Sequence, residues 1–179
     1  MAATVKVWDP LVRIFHWSLV ASFAVAWLSS NQIKNLHEWA GYCAAALISF
    51  RLIWGLVGSH YARFRQFVRG PKTTLGYLRD IPGGKAERYL GHNPAGGAMI
   101  IALLVCMGLV ATTGWMQTTD AYWGVRWVQN VHEFLANCLM VLVIGHLAGV
   151  LLASYHHREN LVRAMITGRK RTGSQTDIR

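Results

Sequence analysis

Residues 129–154, QNVHEFLANCLMVLVIGHLAGVLLAS, are apolar apart from a few polar positions and carry two histidines, His132 and His146, fourteen positions apart. This run limits the fold more than any other feature, because about 20 apolar residues in a helix cross the ~30 Å hydrocarbon core of a bilayer. Fourteen residues make about four turns, so the two imidazoles lie about 21 Å apart along the axis. They also return to nearly the same face. An ionisable side chain inside a membrane segment is costly and usually faces the bundle interior. Two on one face call for a shared explanation. One that uses both is an imidazole ligand to a haem iron at each of two depths.

Three further apolar stretches, 11–29, 37–57 and 94–117, join 130–154 as candidate spans. With 53% hydrophobic and 15% charged residues in 179, the chain reads as an all-α integral membrane protein, a single-domain bundle of four transmembrane helices. The first stretch contains Arg13 and His16 and lacks a small-residue cleavage pattern, so it is expected to be a retained helix rather than a signal peptide. Pro10, after Trp8 and Asp9, suits the first helical turn, where its missing N–H does no harm.

A net charge of +10 could suggest a nucleic-acid partner, but the basic residues sort by loop. Lys6 and Arg13 stand at the start, seven lie in the loop 59–93 and six in the tail 155–179, whereas only Lys34 and Arg126 lie in the other two loops. The positive-inside rule then puts both termini and the long loop in the cytoplasm, the short loops outside, and nucleic acid out of the picture. Gly70-Pro71, Pro82-Gly83-Gly84 and Asn93-Pro94 mark the loop as a surface connector. Its middle, 73–80, is expected to form a short amphipathic helix on the anionic inner leaflet. The tail is expected to end in a charged, frayed segment. Cys43, Cys106 and Cys138 fall within spans and read as small apolar core residues, and the absence of CxxCH excludes covalently attached haem.

Of eight histidines, His60, His92, His156 and His157 lie at helix ends or in loops, where water makes histidine cheap. His16, His37, His132 and His146 lie within spans. Any one of them alone would serve as an interhelical hydrogen-bonding group. Together they fall at matched depths: His37 with His132 makes an outer pair, and His16 with His146 an inner pair. Zinc would want four ligands at one depth, and only Glu38 and Glu133, each adjacent to a histidine, come near. They point about 100° away from those neighbours. Bis-histidine haem needs only two nitrogens per site and, with no open position, favours electron transfer. Arg51 is the one basic residue deep inside a span. It either binds a propionate of the inner haem or snorkels to lipid phosphate.

The ordered set VWDPLVRIFHW, LHEWAGY, FRLIWG, GHNPAGG, VHEFLAN, GHLAGV and LVRAMITGRK resembles the bacterial cytochrome b561 family, related to the b-type cytochrome subunits of nickel-iron hydrogenases. The resemblance covers nearly the whole chain. It implies a four-helix bundle with two haem b groups, His16, His37, His132 and His146 as the matching axial ligands, and electron exchange between membrane quinone and a second redox partner. It also implies a bacterial inner membrane. The chain is shorter than the hydrogenase subunits, which favours a c-type cytochrome or another periplasmic protein as partner. A quinone oxidoreductase subunit and a homo-oligomer remain compatible with it. One alternative is superoxide oxidation at the outer haem, with Lys34, Arg126 and the tryptophans as an approach surface and quinone as acceptor. Another is a haem-free transport or structural protein with histidines as proton relays or glue.

Overall fold

Three helices of this chain start on the same local device, an Asp or Asn whose side chain accepts the amide proton three residues on. Asp9 Oδ1 accepts from the Val12 amide at 3.0 Å, Asn93 Oδ1 from Gly96 at 2.7 Å, and Asn160 Oδ1 from Arg163 at 2.7 Å. In the first two the next residue is proline, whose lack of an N–H suits the first turn. The structure is a computed structural model and describes residues 4–172.

The order is a short strand β1 (Thr4–Lys6), α1 (Pro10–Ser29), α2 (Lys34–Val57), a 3₁₀ turn (His60–Ala62), α3 (Phe64–Phe67), α4 (Pro71–Asp80), α5 (Pro94–Met116), α6 (Arg126–His156), α7 (Leu161–Thr167) and β2 (Arg169–Arg171). Four of these, α1, α2, α5 and α6, are long and apolar enough to cross a membrane. Many of their large apolar side chains, such as Ile14, Leu28, Ile53, Val141 and Leu151, are exposed on the isolated chain, as lipid-facing residues must be. The spans agree with the sequence expectation in number and place. Two are longer by three residues or more: α2 starts at Lys34 rather than 37, and α6 runs Arg126–His156 rather than 130–154.

The chain divides into two compact units. The second, 14–53 with 102–143, is a four-helix packing around Ile48 of α2, Cys106 and Met107 of α5, and Leu139 of α6, with Leu19 and Phe23 of α1 against them. Small polar groups are satisfied within the unit, Ser22 Oγ donating to Cys43 Sγ at 3.4 Å and Cys106 Sγ to the Leu135 carbonyl at 3.5 Å. Of the three cysteines expected in the core, Cys106 is buried and Cys138 half-buried, whereas Cys43 is exposed on the helix surface, so that expectation is corrected for Cys43.

The first unit holds 1–13, 54–101 and 144–179. Here the structure corrects one expectation. The stretch 59–93 is more than a surface connector: it forms the 3₁₀ turn, α3 and α4, and buries Ala62, Phe67 and Tyr77. The amphipathic helix is present and starts slightly earlier, at Pro71. The charged tail is ordered through β2, which pairs antiparallel with β1 in the register Thr4↔Arg171, Val5↔Lys170, Lys6↔Arg169. The expected frayed end, 173–179, lies outside the described residues. Gly168 makes the turn between α7 and β2 with φ +77°, and an added Cβ would stand 2.6 Å from the Trp8 carbonyl, so glycine is required twice over.

Lys170 is buried, its ammonium 3.4 Å from the carbonyls of Tyr89 and Gly91 and over the Trp8 ring. Arg88 and Glu159 form a largely buried pair at 3.0 Å. The core of this unit is Val7, Trp8, Val12 and Ala62, with Trp54, Tyr61 and Met165 against them. Asp9 ties it together, its other oxygen accepting from Trp54 Nε1 at 3.4 Å and from the Ser59 hydroxyl. Burial by itself raises the Asp9 pKa, but the hydrogen bonds from Ser59, the Val12 amide and Trp54 outweigh it and hold the carboxyl below its ordinary value.

Candidate haem-binding site

In the second unit His37, in the first turn of α2, and His132, in the second turn of α6, come together. Their ring centroids are 6.1 Å apart and the planes nearly perpendicular, at 83°. Two imidazoles on opposite sides of one metal, each with a nitrogen about 2 Å from it, place their centroids about 6 Å apart. The spacing fits one metal between two rings, and it is too long for a direct hydrogen bond between adjacent ring edges to explain the pair.

The hydrogen bonds say which nitrogens are available. His37 Nδ1 lies 2.8 Å from the Ala26 carbonyl of α1. A carbonyl only accepts, so Nδ1 carries the proton and Nε2 keeps its lone pair. His132 Nδ1 is 3.1 Å from the Val110 carbonyl and 3.1 Å from Thr113 Oγ1. Thr113 spends its own proton on the carbonyls of Leu109 and Val110, at 2.9 and 3.0 Å, so it too accepts from His132. Both histidines are therefore held in the tautomer that offers Nε2, the arrangement metal-bound histidines use. The residues fit the group that the sequence implies. Among the described residues no three of His, Cys, Asp and Glu converge; Glu38 instead pairs with Lys34 at 3.6 Å.

α5 carries no histidine, yet it seats His132. Gly114 leaves the space that His132 uses: a Cβ there would stand 3.1 Å from His132 Cε1. With no histidine in 94–117, the sequence does not point to Val110, Thr113 or Gly114. Carbonyls leave no trace in sequence, and the pair Thr113-Gly114 in an otherwise apolar helix was the available signal.

The family model for prokaryotic cytochrome b561 matches residues 7–168. The chain belongs to the prokaryotic cytochrome b561 family. It is therefore a transmembrane b-type cytochrome of electron transfer that binds haem b, which sets aside the haem-free transport reading. Among curated proteins nothing matches it significantly. The match spans both compact units and all four long helices.

The other expected residues of this cytochrome fall as follows. His16 is half-buried in α1 with the Trp17 ring edge-on at 5.1 Å. His146 is half-buried in α6, next to Gly145. His16 belongs to the second unit and His146 to the first. Arg51 is 3% exposed, so its guanidinium does not extend into the lipid surround. His92 is no solvated loop histidine; it stacks between Trp8 at 4.5 Å and Phe67 at 4.8 Å.

Proposed function

We propose that residues 1–179 act as one dihaem b-type cytochrome of the bacterial inner membrane, with both termini cytoplasmic. It passes electrons between the quinone pool and a periplasmic redox protein such as a c-type cytochrome. His37 and His132 hold the outer haem, and His16 and His146 the inner one. The observation that carries this reading is the His37–His132 pair at 6.1 Å with both Nδ1 protons fixed on backbone carbonyls.

When bound, haem iron supplies one-electron redox chemistry, and bis-histidine ligation leaves it no open position for oxygen. The protein does the rest. The Ala26 and Val110 carbonyls orient the two rings and make them better donors. α5 holds His132 from behind through Thr113. Arg51, removed from water, supplies a charge suited to a propionate of the inner haem. The basic loop, with both chain ends, faces the cytoplasm by the positive-inside rule.

The superoxide alternative asked Lys34 to attract an anion. Lys34 is already engaged by Glu38 and lies 4.2 Å over the Trp123 ring, which weakens that approach surface. The deciding experiment measures haem per chain and the reduced-minus-oxidised spectrum of the purified protein, then follows reduction by quinol in membrane vesicles. Two haem b per chain, reduced by quinol, are expected; one haem per chain, or no reduction, would sink the proposal.

A further inference from the structure

Starting three residues beyond the end of α2, in the first unit, lies a pocket of about 260 Å³ lined by His60, Arg63, Arg65, Gln66 and Arg69. Three arginines and a histidine line it and, among the described residues, no carboxylate does, although this protein has eight acidic residues to spend. Such a set is costly to assemble by like-charge repulsion and fits an anion with several oxygens, because the planar guanidinium fork matches phosphate geometry. We propose that this pocket binds the phosphoryl group of an anionic phospholipid.

Its position favours a lipid over a soluble phosphate. α2 is a membrane span ending at Val57. Arg63 ties the pocket to that end, its Nε donating to the Gly58 carbonyl at 2.7 Å. A group fixed one turn past a span lies at the level of the headgroups, which add roughly 5 to 8 Å on each side of the hydrocarbon core. The chain on the far side of the pocket is also built for an interface. Val68, Leu75 and Leu78 are exposed, while Tyr77 anchors α4 on its buried side. Lys72, Leu75 and Arg79 share a face of α4 at three- and four-residue spacing. Apolar side chains beside basic ones on one surface are the signature of an element lying in the headgroup boundary. Arg65 and Arg69 are exposed, and they are the pocket's charges that the structure does not tie to backbone.

The test titrates the haem-loaded protein in detergent with phosphatidylglycerol, phosphatidylcholine or inorganic phosphate and reads bound ligand by native mass spectrometry. Phosphatidylglycerol should bind best. The double change Arg65→Gln with Arg69→Gln should weaken it about 30-fold, since two charge-assisted guanidinium contacts to the phosphoryl group are lost, while Lys72→Gln with Arg79→Gln, outside the pocket, changes it by less than about threefold. Equal weakening by the second pair would show diffuse leaflet attraction and overturn the site, as would equal retention of phosphatidylcholine. Inorganic phosphate binding as tightly as phosphatidylglycerol, and lost in the first pair, would overturn the lipid in favour of a soluble anion. Arg65→Lys with Arg69→Lys, which keeps the charge and removes the fork, should weaken binding by an intermediate factor; no weakening at all would exclude a phosphate-matched pocket.

Discussion

At the scale of single residues, the outer site is decided by two ring nitrogens and what they donate to. His132 shares its Nδ1 proton between the Val110 carbonyl and Thr113 Oγ1. Both contacts push electron density onto the ring and favour the oxidised metal. Thr113→Val removes one acceptor while keeping the shape. The outer-haem midpoint potential should rise by about 20 to 40 mV, a hydrogen bond of about 0.5 to 1 kcal/mol expressed in a one-electron couple. A redox titration of the visible spectrum checks it, and an unmoved potential would return Thr113 to packing. Gly114 makes a steric test of the same ligand. Gly114→Ala puts a methyl 3.1 Å from His132 Cε1, on a ring already pinned by two hydrogen bonds, so outer-haem retention should fall. Gly108→Ala, one and a half turns away on α5 with nothing within 4 Å of the added atom, should leave haem retention unchanged.

At the scale of elements, the four spans were legible because hydropathy over some twenty residues is a direct statement about solvent. Their ends were less so. α6 has 31 residues, about 46 Å of helix, more than the hydrocarbon needs. Backbone hydrogen bonding carries a helix through the headgroup region, where polar residues such as Arg126 and His156 are at home. The pairing of His37 with His132 was legible from depth alone, whereas the carbonyls and the glycine that fix their rings were not. The clasp of β1 and β2 was hidden for a different reason. Strands of three residues carry no usable alternation, and a buried Lys170 in a run of basic residues reads as solvated until Trp8 and two carbonyls are found around it. Asp9 joins these elements, capping α1 and accepting from Trp54 and Ser59. Its folded pKa is depressed, so the stability it gives is present above the ordinary aspartate pKa near 4 and is lost as pH falls through the lower folded value. Asp9→Asn should therefore lower the melting temperature at pH 7 and flatten the acid limb of the melting curve. The loss should be about 1 kcal/mol or less, since asparagine still caps the helix. Circular dichroism melts from pH 3 to 7 read both effects, and a parallel acid limb in the two proteins would show that Asp9 does not titrate with folding.

At the scale of the whole molecule, one helix carries a ligand for each proposed haem, and this makes the response to damage asymmetric. Under the proposed assignment His16→Ala should cost the inner haem alone and His37→Ala the outer alone, because α1 and α2 would each supply one ligating nitrogen. α6 carries both His132 and His146, one for each of the proposed haems. Leu139 lies between them in sequence and is 2% exposed in the core of the second unit, against Ile48, Cys106 and Met107. Leu139→Pro removes one helical hydrogen bond, clashes with the preceding turn and empties a packed position, at a cost of about 3 kcal/mol or more. It should reduce haem per chain from two toward none, although it touches neither histidine. Leu139→Ala should act differently: it leaves the helix continuous and opens a cavity costing about 2 to 5 kcal/mol, so the melting temperature falls while both haems stay bound below it. Haem content by pyridine haemochrome, measured beside the thermal melt for each variant, separates the two. If Leu139→Pro loses one haem and keeps the other, the two histidines of α6 do not depend on a common helix, and the assignment of one ligand to each site must be redrawn.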